Sequence, residues 1–288
     1  MSKIKVITDS ASDVPSELAE MYNVTVLPLG IVINDEVYYD GVDLSNQEFF
    51  DTMKKLDKIP TTTMVPLHLV ENEFRKNIDE GIYDHQIYVT LSAKASGSFN
   101  AANLIKKQME ESMGRNLNIT IIDSNSFSMV YGKIVLRIAK MAQDGASLDQ
   151  ILLEYTNEQK TSVAYFLVDD LNHLQKGGRI NPGIALIGGM LGIKPILTIN
   201  DGLVDFIGKE RGKRRTMEKI IGMMIDDIEI PADTSLWVAN ADADEDVKDV
   251  INLINDRIKL KEINEFKMGA CIGTHTGSGL VGLIFNKK

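Results

Sequence analysis

The sequence predicts an α/β fold in two domains, because short apolar strands alternate with amphipathic helices along much of its 288 residues. Up to about residue 158 a strand, a polar turn and a helix recur, a pattern typical of a mostly parallel sheet with helices on both faces. The alternation pauses near residue 160, which indicates a domain boundary. We therefore expect a Rossmann-like N-terminal domain over 1–160 and a C-terminal α/β domain with a mixed sheet over 161–288.

Composition limits the class of protein. Hydrophobic residues make up 44% and charged residues 25%, as in ordinary globular domains. The net charge of −10 argues against nucleic acid as a partner. The single cysteine, Cys271, excludes internal disulfides, and we expect neither a metal nor a cofactor. With no signal peptide and no long uncharged apolar run, we expect a soluble, cytoplasmic protein without stable membrane insertion.

The N-terminal segment begins with a strand at 4–7. Asp9 and Ser10 follow at its carboxyl end, where open α/β sheets bind ligands, although a simple capped turn is the alternative. Asp13 is placed to cap a helix that opens near Pro15.

The stretch around Ser96 is the strongest candidate for a ligand site in this half. It follows a strand at 86–91 and precedes a helix at 100–109. A hydroxyl-rich turn before a helix N-terminus offers amides and hydroxyls to an anion, here with Ser92 and Ser96. Gly97 has no Cβ, so a ligand can approach the backbone. An N-cap without any ligand is the alternative.

A third strand, at 119–122, also ends in Asp-Ser, at Asp123 and Ser124. Because the carboxyl ends of parallel strands share one edge of a sheet, these residues, Asp9-Ser10 and the Ser96 turn predict one polar rim.

The remaining N-terminal elements are ordinary. Ser45 and Glu48 have the spacing of a capping box. The threonines at 61–63, bracketed by prolines, predict an extended segment, with Thr61 and Thr62 as candidate hydroxyl donors. The other expected elements are strands at 24–29 and 31–38 and helices from 45, at 69–78, at 129–143 and at 147–158.

In the second half, Gly177 and Gly178 form a turn that can aim Arg179 inward, although a surface arginine is the alternative. The uncharged segment 184–191 reads as an apolar helix with glycines, which permits either close packing or an apolar tunnel. The expected elements there are strands at 163–168, 193–199, 203–207, 236–241, 266–272 and 283–285, and helices up to 176, at 217–228 and at 246–258.

His275 lies in a glycine-rich stretch whose spacing matches neither the Walker nor the dinucleotide fingerprint. A serine hydrolase could use Ser96, His275 and Asp9, but no nucleophile elbow supports it. The combination of Thr62, Ser96, Arg179 and His275 suits a carboxylate, with hydroxyls donating hydrogen bonds and the arginine and histidine supplying positive charge.

The chain resembles the bacterial DegV family along essentially its whole length. Each shared motif is weak alone, but seven in the same order are specific. They are Thr8 to Asp13, Thr61 to Thr63, Leu91 to Ser98, Asp123-Ser124, Lys176 to Ile180, Ile193 to Pro195 and His275 to Gly279.

The resemblance implies a protein that binds one long-chain fatty acid between its two domains. It further implies that the protein serves as the fatty-acid-binding subunit of a fatty acid kinase. A separate ATP-dependent subunit would phosphorylate the carboxylate for phospholipid synthesis. Thr62, Ser96 and Gly97 would then bind the carboxylate together with Arg179 and His275.

The polar rim that the strand ends and turns predict would then support the head group, with Asp9, Ser10, Thr61, Ser92 and Ser124 as its residues. The resemblance implies that the basic segment with Lys209, Arg211, Arg214 and Arg215 docks the kinase.

Two positions depart from the family pattern, Met64 and Ala93, and both bear on head-group contacts or acyl preference. Two other functions stay open on the residues themselves. One is an acyl hydrolase or transferase that uses Ser96 and His275. The other is a binder of a small anionic metabolite, which would need a compact polar pocket.

Overall fold

The computed structural model describes residues 3–182 and 192–288, and the segment 184–191 with its predicted apolar helix lies outside them. The strands are β1 (Ile4–Asp9), β2 (Val24–Leu27), β3 (Gly30–Ile33), β4 (Glu36–Tyr39), β5 (Thr61–Thr63), β6 (His85–Thr90), β7 (Ile119–Asp123), β8 (Ser162–Leu167), β9 (Ile193–Asn200), β10 (Leu203–Arg211), β11 (Ser235–Ala241), β12 (Glu262–Lys267) and β13 (Leu280–Asn286). The helices are α1 (Ser16–Met21), α2 (Asn46–Met53), α3 (Leu67–Glu80), α4 (Ser98–Met113), α5 (Met129–Gln143), α6 (Leu148–Thr161), α7 (Asn172–Gly177), α8 (Lys213–Asp227), α9 (Asp244–Asn255) and α10 (Ala270–Thr276).

The N-terminal half is organised by a parallel sheet in the order β2-β1-β6-β7. Its central strand β1 is buried at every position, as expected for a parallel strand covered on both faces. Val6 pairs with Val24 on one side and with Ile87 on the other. The predicted parallel sheet is therefore confirmed.

The C-terminal half carries a mixed sheet in the order β10-β9-β8-β13-β11-β12, parallel only between β11 and β12. Its side chains alternate between two cores, because successive residues of a strand face opposite sides. Ala164 and Phe166 join the core shared with the N-terminal half, whereas Tyr165 and Leu167 pack into a second core with α8 and α9. The predicted fold class is confirmed, and the boundary near residue 160 stays a prediction.

A small antiparallel sheet, β4-β3-β5, is attached to the N-terminal half. Asn34 and Asp35 both have positive φ, 49° and 67°, as a two-residue turn between antiparallel strands favours. β5 pairs with β3 so that Thr62 lies opposite Ile31. The predicted extended segment at 61–63 is thus a strand, and the predicted capping box of Ser45 and Glu48 is present.

Two local predictions are wrong, and both concern residues that meet in one contact, between Asp13 and the start of α10. The predicted strand at 266–272 ends at Lys267, and α10 begins at Ala270. Asp13 does not cap α1 but adopts a left-handed conformation, with φ 53°. Its carboxylate accepts a hydrogen bond from Gly269 N at 2.9 Å and another from the Ser128 hydroxyl. Asp13 therefore bonds to residues distant in sequence instead of capping the neighbouring helix α1.

Asp40 completes this attachment of α10. Its carboxylate accepts hydrogen bonds from the backbone amides of Ala270 at 3.0 Å and Cys271 at 3.1 Å. Amides in the first turn of a helix have no partner within the helix, so carboxylates there satisfy them and interact favourably with the helix dipole. Two acidic residues of the N-terminal half therefore hold a helix of the C-terminal half.

Burial raises the pKa values of these carboxyl groups. Loss of hydration raises the pKa of Asp13 to about 8 and the pKa of Asp40 above its ordinary value. Burial likewise raises the pKa of Asp9 to about 7, although Tyr131 OH donates to it at 2.6 Å and Leu91 N at 2.9 Å. The folded protein thus retains protons that the unfolded chain releases.

We predict that the free energy of unfolding falls as the pH rises from about 4 to about 8. A carboxyl whose pKa is raised in the folded state stabilises that state at low pH and loses this contribution as the pH passes its folded pKa. Each retained proton changes stability by up to about 1.4 kcal/mol per pH unit. Urea unfolding at a series of pH values measures the slope.

The variant Asp13→Asn should flatten this slope, because the amide cannot ionise yet keeps an oxygen for Gly269 N. Asp57→Asn, at an exposed position, is the matched control. Equal slopes in the two variants would show that Asp13 does not titrate as described.

Candidate functional site

A cavity of about 500 Å³ lies between the two halves, within the range typical of small-molecule sites. One wall is the face of the C-terminal sheet that the N-terminal half covers. Leu280, Gly282 and Ile284 alternate along β13 toward the cavity, beside Ala164 and Phe166 of β8. This wall carries no polar side chain.

The N-terminal half supplies the facing wall, which is also apolar. Its members are Leu29, Leu91, Phe127 and Val130. An interior lined in this way stabilises an apolar ligand by removing it from water. A compact polar pocket, as a small anionic metabolite would need, is not what these residues form.

All five residues predicted to bind a carboxylate line this one cavity: Thr62, Ser96, Gly97, Arg179 and His275. They come from different elements, namely β5, the turn before α4, the segment after α7, and α10. Thr62 therefore lies on a strand, as the predicted extended segment implied, whereas His275 lies in a helix and not in a glycine-rich loop. The structure brings the set together, and its role toward a carboxylate stays a prediction.

His275 is held by Thr62. Thr62 Oγ1 and His275 Nε2 lie 2.8 Å apart, within hydrogen-bonding distance. Burial, and after it the nearby positive charge of Arg179, lowers the pKa of His275 to about 4. The surroundings of His275 therefore favour the neutral imidazole, and a positive charge on it beside a bound carboxylate stays a prediction.

The two glycines before Arg179 have distinct roles. A Cβ at Gly177 would collide with His275 Nδ1, so glycine permits α7 and α10 to approach closely. Gly178 ends α7 in the left-handed conformation, with φ 69°. Arg179 then turns inward, where Nε donates to Ala95 O at 3.2 Å and the guanidinium also donates to Gly177 O. Arg179 thereby joins the C-terminal half to the Ser96 turn.

The Ser96 turn is both a helix cap and a cavity wall. Ser96 Oγ accepts from Ser98 N at 3.2 Å and lies 3.0 Å from Ser98 Oγ. A Cβ at Gly97 would touch only Met64 Sδ, at 3.4 Å, so the fold itself does not require glycine there. The Ser96 hydroxyl thus bonds the first amide of α4, although the N-cap position itself is Gly97, which has no side chain to cap with, and a ligand-facing role of this turn stays a prediction.

The predicted polar rim lies behind the cavity rather than on it. The strand ends do meet as expected: Asp9 accepts from Leu91 N, and Asp123 accepts from Ala93 N at 3.0 Å. These bonds hold the Ser96 turn on its side away from the cavity. The five predicted rim residues, which are absent from the cavity wall that the structure describes, are Asp9, Ser10, Thr61, Ser92 and Ser124.

Each rim residue has another role or position. Asp9 is fully buried, and Thr61 is exposed on β5. Ser10 Oγ accepts from Leu29 N at 3.1 Å, Ser92 Oγ donates to Gly202 O at 2.8 Å, and Ser124 Oγ donates to the backbone of the next turn. Backbone groups have thus taken the hydroxyls that the sequence offered to a ligand, locally for Ser124 and through contacts distant in sequence for Ser10 and Ser92.

Several cavity residues were not predicted from sequence. Lys94 lines the cavity within the same turn as Ser96 and pairs with Asp201. Thr63 and Cys271 also contribute, and their proximity in sequence to Thr62 and His275 was the available signal. The two departures from the family pattern, Met64 and Ala93, both lie in the cavity wall.

A catalytic triad is not assembled in the part of the chain that the structure describes. His275 Nε2 contacts Thr62, Ser96 Oγ contacts Ser98, and the carboxylate of Asp9 is bonded to Tyr131 and Leu91. A nucleophile needs its base within hydrogen-bond reach. These contacts give no support to an acyl hydrolase or transferase.

The basic segment lies on the surface. Lys209, Arg211, Arg214 and Arg215 are exposed, at the end of β10 and the start of α8. Within residues 3–182 and 192–288 no helix is long and apolar enough to cross a membrane, and no cluster of His, Cys, Asp and Glu is arranged to hold a metal ion.

Proteins of known family and structure resemble this chain in sequence and in fold. The family model described as "Uncharacterised protein, DegV family" matches residues 3–288. A DegV domain-containing protein of Clostridium perfringens is 33% identical over 286 residues, which cover 99% of each chain.

Solved structures agree with the fold. A DegV family protein from Thermus thermophilus, described by its fatty acid binding, has a TM-score of 0.89 at 27% identity. DegV of Bacillus subtilis, described as a fatty acid binding protein, has a TM-score of 0.85 at 28% identity. Both alignments cover 100% of each chain. In sequence and in fold, this chain belongs to the DegV family.

Proposed function

We propose that this protein binds one long-chain fatty acid in the cavity between its halves and presents the carboxylate at the cavity's polar end. The observation that carries the proposal is the cavity itself, which apolar side chains line along both walls and into which Thr62, Ser96, Arg179 and His275 bring polar groups, together with Lys94, Asn100 and Ser128. Relatives of the same fold described as fatty acid binding proteins support it.

The apolar walls would supply most of the affinity. Each methylene moved from water into such an interior contributes about 0.8 kcal/mol. The carboxylate adds little net energy, but buried without partners it would cost several kcal/mol. The polar group therefore fixes the orientation of the ligand, and the tail supplies the energy.

The polar end suits a carboxylate in two ways. Arg179 provides a permanent positive charge, and Thr62 and Ser96 provide hydroxyl donors. Burial lowers the pKa of His275, and an anion beside it would favour its protonated form. His275 can thus add a second positive charge, beside that of Arg179, when a carboxylate binds.

We expect lipid extraction and mass spectrometry of the purified protein to reveal bound fatty acid. In a series of saturated fatty acids, affinity should rise about fourfold per added methylene until the cavity is filled. Displacement of a fluorescent fatty acid measures this. A protein that prefers short carboxylates over long ones would contradict the proposal.

Thr62→Val should weaken fatty acid binding by about fivefold, because it removes one hydrogen-bonding hydroxyl while keeping the shape of the side chain. Thr61→Val is the matched control, since Thr61 is exposed on the same strand and does not line the cavity. Equal affinities for the two variants would remove Thr62 from the head-group site. Melting temperatures of both variants report whether the fold is intact.

We further propose that the protein is not itself an enzyme and acts in the cytoplasm with a separate ATP-dependent kinase subunit. That subunit would phosphorylate the carboxylate, and the acyl phosphate would enter phospholipid synthesis. The exposed basic segment is the proposed docking surface. Lys213, which opens α8 in this segment, pairs with Asp169 at 3.2 Å, and Asp169 packs against Gly279, beyond the end of α10. The basic segment is thereby connected to the polar end of the cavity.

Arg211→Glu should lower the rate at which the kinase subunit phosphorylates bound fatty acid by about tenfold or more, because reversing an interface charge opposes association. Fatty acid affinity should stay unchanged, since Arg211 is exposed and does not line the cavity. Arg115→Glu, the same charge change at an exposed position far along the sequence, is the control. A variant phosphorylated like the control would exclude this docking surface.

A further inference from the structure

We propose that Val130, Ala164 and Ile199 form a distal wall that sets the longest acyl chain the cavity accepts, because the space behind this wall is polar. The inference rests on the proposed function and extends it from the kind of ligand to its length. It concerns the end of the cavity opposite the carboxylate-binding residues.

The position of the distal wall follows from the C-terminal sheet. β13 enters the cavity wall at Leu280, just beyond α10 with His275, and reaches Ile284 four residues later. Ile284 pairs with Ala164 in the distal wall. At about 3.4 Å per residue, the distal wall lies roughly 13 Å along β13 from the end near His275. A ligand with its carboxylate at His275 would therefore direct its tail toward Ala164.

A second cavity of about 200 Å³ lies behind this wall. Val130, Ala164 and Ile199 line both cavities. These three side chains therefore separate the apolar main cavity from the second cavity. Ala164 is the smallest of the three, and Ile199 is partly exposed.

The second cavity has a different chemical character. Its lining includes the polar side chains of Asn125, Ser126, Gln159, Lys160 and Asn200. Ser126 Oγ is buried and has no hydrogen-bond partner among the described residues. Gln159 and Asn200 have partners within the fold, Ser124 O and Asp205, whereas a buried hydroxyl such as Ser126 Oγ needs water or a polar ligand group.

A methyl end pushed past the distal wall would separate these polar groups from water and offer nothing in return. The gain in affinity per methylene should therefore stop at the wall, and longer chains should bind less well. A chain with a hydroxyl at its far end is the ligand class that could satisfy the second cavity once the wall is opened.

Saturated fatty acids from decanoic to docosanoic acid, and their ω-hydroxy counterparts, test this by displacement of a fluorescent fatty acid. In the wild-type protein, affinity should rise to one preferred length and then fall. Ile199→Ala should move the preferred length up by about two methylenes and favour long ω-hydroxy chains over the plain chains by about tenfold. Val130→Ala should act in the same direction, so the test does not depend on one variant folding.

Ile272→Ala is the matched control, because Ile272 lines the main cavity but not the second one. It should weaken all chain lengths alike and leave the preferred length unchanged. A wild-type preferred length that persists in both wall variants, or that shifts equally in the control, would overturn the inference while leaving fatty acid binding intact. Failure of the wild-type protein to bind any fatty acid would remove the proposed function and this inference together.

Discussion

The attachment of α10 to two buried carboxylates is the contact on which the cavity depends. Asp13 and Asp40, from the N-terminal half, accept hydrogen bonds from three successive amides at the start of this C-terminal helix. Those amides have no partners within the helix, and the buried carboxylates have no water, so each group satisfies the other. The helix is thereby fixed with His275 beside Thr62. Together with the shared apolar core, this contact fixes the position of one cavity wall relative to the other.

In a second contact between the halves, the side chain comes from the C-terminal half. Arg179, from the C-terminal half, donates to the backbone of the Ser96 turn, which Asp9 and Asp123 hold from beneath. The polar residues around the cavity thus divide into two groups. Polar residues of the first group make all their hydrogen bonds inside the fold and hold the turns and helices in position. Polar residues of the second group face the cavity and can contact a ligand. Burial raises the pKa of all three carboxyl groups, Asp9, Asp13 and Asp40, because the ionised form loses its hydration.

The neutral state of His275 limits the charge buried at this end of the cavity. Two fixed positive charges there would be costly, because neither charge would have a counterion. Here Arg179 bonds to carbonyl oxygens, and the imidazole carries no charge.

The sequence by itself determined the fold class and most elements, because apolar periodicity and caps such as that of Ser45 are local signals. It also identified Thr62, Ser96, Gly97, Arg179 and His275, which share one cavity, because their residue types suit an anion, and the ordered motifs of a resembling family then implied the same set. Only the tertiary structure decided which polar groups face that cavity. Asp9 and Ser92 resemble Ser96 in sequence setting, yet both are consumed by hydrogen bonds inside the fold. It also turned residues 270–276 into a helix and left His275 neutral, since partners distant in sequence satisfy α10 and burial excludes water from the imidazole.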